Sequence, residues 1–344
     1  MAMTRAWPGY AYQLNGCPVD EGVSINARFK AHNGVDVTDV TLELPTVPLS
    51  SIGLESAVKG RITTGNFSGM IRYSNPDPGQ PPEVRVSGRL GQAELAELTR
   101  SVPFGPFDGR IDVNVESARF SQSMLTHLRG GGSIERLSFA GFAPVLGVKA
   151  LSGEATFSFD PVDIGLGNIH RLRVAGAIHG VQLEEIVNAV AEGNATGLLT
   201  IRVNNIDIAS NIIKSADLEI IATPPKGQPG TIDRALLLSA ARKFLNLTWP
   251  DSLPESILPA KLEYAEFGMR LLVRDNQLRI LGTHGSGHKV ILTIRVFGQT
   301  FGVVSEPADS IGLSPWIEAT LERVRTYDPR RVGEILKGRA GSHD

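Results

Sequence analysis

Apolar and polar residues alternate one by one along much of this chain, and a period of two is the mark of a β-strand with one buried face. Ile111, Val113 and Val115 fall on one face while Asp112, Asn114 and Glu116 fall on the other. Phe157 and Phe159 alternate with Thr156 and Ser158, and Leu199, Ile201 and Val203 with Thr200, Arg202 and Asn204. The pattern recurs at 83–90, 170–178, 216–222, 269–282 and 289–298. Sheets apolar on one face are usually antiparallel. Turn-forming clusters separate the strands, supplied by 37 Gly and 21 Pro, and Arg274–Gln277 reads as a short hairpin between Val273 and Leu278.

Helical spacing is confined to a few places. Residues 92–102 set Ala93, Leu95, Ala96, Leu98 and Val102 along one stripe, and 183–194 do the same with Leu183, Ile186, Val187 and Val190 before Gly193. A helix is expected from Thr231 to about Leu245. Another is expected from the Ser314–Pro315 start to the Tyr327–Pro329 stop, and a short one over 330–338.

An internal repeat organises these elements. Segments beginning at Arg85 and, 86 positions later, at Arg171 both read strand, Gly turn, amphipathic helix, Gly-rich loop and alternating strand. A degenerate copy spans 42–74, with a loop in place of the helix, and a further strand pair lies between the clear copies. Units that cannot bury their own apolar face stack in a row. The expected fold is therefore mainly β with a few helices (α+β): an elongated, curled antiparallel sheet, a β-groove, built from repeated helix-plus-strands units. Residues 1–80 form an N-terminal β segment with the degenerate repeat. Residues 81–230 carry the two-copy repeat, and 231–344 carry C-terminal hairpins with flanking helices; all three belong to one continuous elongated domain or to separate ones.

Composition removes several function classes. A net charge of −2, with 34 basic and 36 acidic residues interspersed, lacks the clustered cations that nucleic acid requires. The single cysteine, Cys17, excludes an intrachain disulfide and has no neighbouring histidine to activate it. No run reaches the ~18 apolar residues of a membrane span, and the first residues lack the order of a signal peptide.

Residues 85–98, 107–116, 150–187 and 277–298, with their Gly-x-Ile/Leu-x-Gly strand starts, resemble the AsmA-like superfamily. This group comprises the periplasmic regions of AsmA-, TamB- and YdbH-type proteins of Gram-negative envelopes. The resemblance covers roughly residues 80–305 and rests on pattern. It implies an extended β-groove that conducts phospholipids between membranes, a periplasmic location, and an N-terminal inner-membrane anchor. Because no anchor stands in this sequence, the chain reads as the C-terminal part of a longer protein or a diverged soluble member. Phospholipids or other acyl-chain ligands would be its partners, with membrane or envelope proteins as further ones, and no cofactor or metal is implied. The groove lining would be Ile111, Val113, Val115, Phe157, Phe159, Leu199, Ile201, Val203, Leu292, Ile294 and Val296. The same residues serve equally as the dry core of a structural β-sandwich module.

Other motifs read as structure. His284 and His288 are four apart, as in a metal pair, but Gly285, Ser286 and Gly287 make the segment a turn and no third ligand joins it. Glu184 and Glu185 open a helix, where carboxylates favour the positive end of the dipole. Asp160 and Asp163 flank Pro161 as turn residues. Gly165–Asn168 and Gly130–Gly132 lack the following Lys-Ser/Thr or helix start of a phosphate loop. The Asn-x-Ser/Thr triplets at Asn66, Asn194 and Asn246 are no more than chance supplies. An amphipathic stripe at Trp316, Ile317, Leu321 and Val324 packs on the end of the sheet or docks a partner. No catalytic constellation is present, so the chain reads as a non-enzyme.

Overall fold

Strands form where the alternation predicts them, and two-residue turns join many of them. The structure, a computed structural model, describes residues 2–6, 11–19, 23–32, 36–51, 60–74, 81–100, 106–121, 124–143, 150–166, 168–190, 193–240, 247–248, 258–275, 277–305 and 311–312. The first twelve strands are β1 (Ala2–Ala6), β2 (Ala11–Val19), β3 (Val23–His32), β4 (Asp36–Pro48), β5 (Asn66–Ser74), β6 (Glu83–Glu94), β7 (Arg110–Ser121), β8 (Met124–Ser138), β9 (Glu154–Gly165), β10 (Asn168–Gln182), β11 (Leu198–Ala209) and β12 (Ile212–Thr223). Each pairs antiparallel with the next.

The meander then branches. β15 (Lys261–Arg274) pairs with β12 through its second half and with β13 (Gly230–Asp233) through its first. Its other edge takes β16 (Gln277–Gly282) and β17 (Val290–Val296). β18 (Gln299–Ser305) follows β17, with β14 (Leu247–Thr248) on β18 and β19 (Ile311–Gly312) on β16. All the described strands belong to one open, curled, antiparallel sheet, which includes strands from each of the three expected segments.

Among the described residues three short helices accompany the sheet: α1 (Leu95–Leu98), α2 (Leu183–Val190) and α3 (Arg234–Ala240). α1 is much shorter than the stripe at 92–102 predicts, because Gln92 to Glu94 complete β6 instead. The expected helices over 314–329 and 330–338 lie outside the described residues, as do 241–245. The Arg274–Gln277 hairpin forms as predicted, with Asp275 at φ 50. Between β11 and β12, Ser210 and Asn211 both take positive φ, as a two-residue type I′ turn demands.

At the other end of the strands the chain crosses between hairpins, and one contact recurs there. The amides of Leu49, Leu95, Phe139 and Leu183 donate to the carbonyls of Gly65, Gly109, Gly153 and Gly197 at 3.0, 2.8, 3.0 and 2.9 Å. These glycines stand 44 positions apart. Two residues after each comes an inward-facing apolar residue, Phe67, Ile111, Ala155 or Leu199, paired with Val47, Ala93, Leu137 or Val181. The crossing segment itself varies: a 3-10 turn at Leu49–Ser51, then α1, a second 3-10 turn at Phe139–Phe142, then α2.

A line of β-bulges runs across the middle of the sheet. β4 carries Pro45 and Thr46 against one residue of β5. β7 carries Glu116 and Ser117, β9 Asp160 and Pro161, and β11 Asn204 and Asn205, each against one residue of a neighbour. A bulge bends its strand and increases the local twist, so a row of them creases the sheet and curls it. It also shifts the alternation by one. Inward residues of β7 run Ile111, Val113, Val115 and then Ala118, Phe120; those of β11 run Leu199, Ile201, Val203 and then Ile206, Ile208. The inner face therefore stays apolar on both sides of the crease.

Candidate ligand groove

The crossing segments close one half of the inner face. Leu95 and Phe107 pack with Leu137, Ala155, Phe139 and Phe142, and Leu183 and Ile186 pack over Val181, Leu199 and Ala222. The Phe107 and Phe142 rings stack with centroids 4.7 Å apart, joining one crossing segment to the next. α3 adds Leu236 and Leu237 over Val187, Ala195 and the C-terminal core.

Polar clasps hold these caps. The Glu97 carboxylate accepts hydrogen bonds from the amide and hydroxyl of both Thr63 and Thr64, at 2.5 to 3.0 Å. Desolvation raises the carboxyl pKa, but the four donors outweigh it and bring it down to about 2. The Thr64 hydroxyl also accepts from the Glu94 amide at 3.1 Å. The arrangement repeats 88 positions later: the Ser152 hydroxyl donates to Glu185 at 2.7 Å and accepts from the Gln182 amide at 2.9 Å. Glu185, expected to serve the helix dipole, thus binds a neighbouring crossing segment through the Ser152 amide and hydroxyl. Tyr264 donates to the Thr196 carbonyl at 2.6 Å, and burial pushes its phenol up to about 12.

Beyond the crease no comparable cover of the inner face is formed by the described residues. Val84, Phe120, Leu128, Ile164, Leu172, Ile206 and Ile208 are half-buried and join none of the hydrophobic cores formed by the described residues. They adjoin one another through Val84↔Phe120, Leu128↔Ile164 and Leu172↔Ile208 pairs, making a continuous apolar floor. Along the crease, Gly69, Gly88, Gly132 and Gly176 occupy inward positions, with the Phe159 and Phe157 rings close to Gly132 and Gly176. The outer face carries ion pairs instead: Arg202 with Glu219 at 3.0 Å, Arg173 with Asp207 at 3.4 Å, and Arg270 bidentate on Asp217 at 2.8 and 2.5 Å. The Arg270 hydrogen bonds hold the Asp217 carboxyl below its usual range.

The residues expected to line a groove divide into three groups. Ile111, Phe157, Leu199 and Ile201 lie under the caps. Val113, Val115 and Phe159 are half-buried beside the crease, with Val203 more deeply set there. Leu292, Ile294 and Val296 are 1%, 0% and 2% exposed within the C-terminal core and reach no open surface. The expected lining omits the floor beyond the crease: Val84 and Leu172 fall within the alternating stretches 83–90 and 170–178, whereas bulges shift the alternation ahead of Phe120, Ile164, Ile206 and Ile208.

The remaining candidates scatter. His284 and His288 lie in the turn before β17, with His284 Nδ1 3.9 Å from Glu266 and His288 Nδ1 3.1 Å from the Thr283 carbonyl. Asp160 sits in the β9 bulge, and Asp163 faces His127 at 3.9 Å on the outer side. Cys17 falls in β2. Trp316, Ile317, Leu321 and Val324 lie outside the described residues. Among the described residues no three His, Cys, Asp or Glu side chains could hold a metal ion, and no helix is long and apolar enough to cross a membrane. No family model, curated protein or solved structure matches this chain.

Proposed function

We propose that this chain is a non-enzymatic, AsmA-like envelope protein that binds or conducts phospholipids along the inner face of its curled sheet. The observation that carries the reading is the apolar floor beyond the crease, from Val84 on β6 to Ile208 on β11, which joins none of the hydrophobic cores of the described residues. From β6 to β11 the strands, at ~4.8 Å spacing, give it a length of ~24 Å, somewhat under the ~30 Å hydrocarbon thickness of a bilayer. Acyl chains lie across the strands, and each sequestered methylene contributes about 0.8 kcal/mol. Headgroups stay in water at the open edges. The setting that fits is the periplasm, with the functional protein attached to the inner membrane and delivering to membranes or other envelope proteins. We also read the sheet as grown by duplication of a helix-plus-strands unit, an idea supported by the two Glu–Thr/Ser clasps.

A second reading applies to the C-terminal part. Tyr264, Ile291, Leu292, Ile294 and Val303 are sealed, which favours a dry structural module there that ends the groove.

Photo-crosslinking tests the proposal. A benzophenone side chain at Leu172 or Ile206 is expected to capture phospholipid in the cell envelope, and one at Arg202 on the outer face is not. Equal capture from both faces, or none from the floor, contradicts the groove.

A further inference from the structure

The hairpin turns at the end of the strands beyond the crease carry side chains that turns ordinarily avoid. Leu166 stands between β9 and β10 at φ 49 and is 79% exposed. Left-handed backbone suits Gly, Asn or Asp, and a bulky residue there is an outlier. The position costs strain and leaves an apolar side chain in water, and neither stabilises the fold. Ile212, at the start of β12, is 52% exposed, and Leu125, near the start of β8, is 46% exposed. β7 to β12 lie side by side, so these three tips follow one another along one rim, two strands apart. At ~4.8 Å per strand the row runs ~19 Å. Single exposed apolar residues are ordinary on a protein surface, whereas a row of them on successive tips marks an interaction site.

The tips are tied to one another. The Leu166 amide donates to the Thr126 carbonyl at 2.8 Å, joining the β9–β10 turn to β8. The Asn211 amide donates to the Ile169 carbonyl at 3.0 Å, its Oδ1 accepts from the Ile169 amide at 2.7 Å, and its Nδ2 donates to Asn168 Oδ1 at 2.9 Å. The three turns thus form one hydrogen-bonded edge instead of separate loops. Behind the tips stands one exposed cation per hairpin: Arg119, Arg171 and Lys214. Two or three strand positions separate each from its tip, ~7–10 Å at ~3.3 Å per residue. Asp163 and Asp207 lie among them, with Asp207 engaged by Arg173 at 3.4 Å. Glu83 reaches Arg119 only at 3.8 Å, its closer contact being Arg85 at 2.7 Å.

We propose that this rim docks on a membrane surface that carries anionic headgroups. The tips enter the boundary between headgroups and acyl chains, where interfacial segments bury their apolar side ~5–10 Å deep. At that depth the three cations lie level with the headgroups, and each adds attraction to an anionic leaflet. A protein partner would need pockets matched to three separated side chains, whereas a bilayer accepts any straight row. The contact goes beyond the groove and stands with the inner face empty.

Flotation of the full chain with vesicles of phosphatidylglycerol and phosphatidylcholine in equal parts, against phosphatidylcholine alone, tests it. Leu166→Asn combined with Ile212→Asn removes two tips; Asn suits the left-handed position, and thermal melts confirm the fold. Phe297→Asn is the control, because that side chain is 76% exposed at φ 51 in the β17–β18 turn, at the opposite end of the strands. Binding to the anionic vesicles is expected, weakened at least tenfold by the double variant and less than twofold by the control. Arg171→Gln with Lys214→Gln should weaken it at least fivefold. No binding to the anionic vesicles, equal binding to phosphatidylcholine alone, or an equal loss in the control overturns the proposal. Self-association without vesicles that the double variant abolishes overturns it too, since a second copy then covers the rim.

Discussion

Gly69 and Gly88 face each other across β5 and β6 so closely that a Cβ on Gly69 would lie 2.6 Å from the Gly88 Cα and 2.1 Å from the Ser87 carbonyl oxygen. The reverse distances are 2.7 and 2.2 Å, and the obstructing atoms are all backbone. The pinch lies on the line of bulges, which bend and twist the strands, so close strand approach there requires two residues that lack side chains.

Gly88→Ala is therefore expected to destabilise the protein by about 2 kcal/mol or more, since both φ and the space oppose it. Urea unfolding checks this, with Gly91→Ala as control. There an added methyl meets only the Asp112 carboxylate at 3.3 Å, and the expected loss is about 0.5 kcal/mol or less.

Glu97 predicts an acid dependence. Its folded carboxyl titrates at about 2 against an ordinary 4.5, so the unfolded chain takes up the proton first as pH falls. The stabilisation is full above pH 4.5 and disappears as pH drops toward 2. Glu97→Gln should cost roughly 1 kcal/mol at pH 7, allowing for solvent screening. It should also flatten the pH 2–4.5 slope in urea midpoints relative to the parent.

Tyr264 predicts the opposite limb. With its phenol at about 12 rather than 10, the unfolded chain loses the proton first as pH rises. Stability is full below pH 10 and falls through pH 12. Tyr264→Phe should lose about 1 kcal/mol at pH 7 by orphaning the Thr196 carbonyl, yet show a shallower alkaline decline in thermal melts.

The strands and their antiparallel order were legible because alternation states directly which side chains face inward. The crease was not. Period-two reading stops at Val115, Phe159 and Val203, since the next residue inserts a bulge, and only Pro45 and Pro161, in the β4 and β9 bulges, mark the crease locally. The shorter recurrence was visible in principle: Gly65, Gly109, Gly153 and Gly197 stand at equal spacing, each two residues before an inward apolar residue. Their role emerges only when the carbonyls are seen accepting from the crossing segments. Leu292, Ile294 and Val296 alternate as cleanly as the floor residues, so periodicity alone does not separate a sealed strand from an open one.

That difference is itself testable. Ile206→Glu on the open floor should cost no more than about 1–2 kcal/mol, because its carboxylate keeps contact with water. Ile294→Glu should prevent folding, because it buries an unpaired charge. Circular dichroism and solubility of the two variants report this contrast.

Native mass spectrometry of the protein purified from bacterial envelopes, followed by lipid extraction, tests the central claim most directly. The groove account predicts bound phospholipid near one or more molecules per chain, sharply reduced by Ile206→Glu with the fold intact. Folded protein that carries no lipid, or lipid retained equally by the variant, would contradict it.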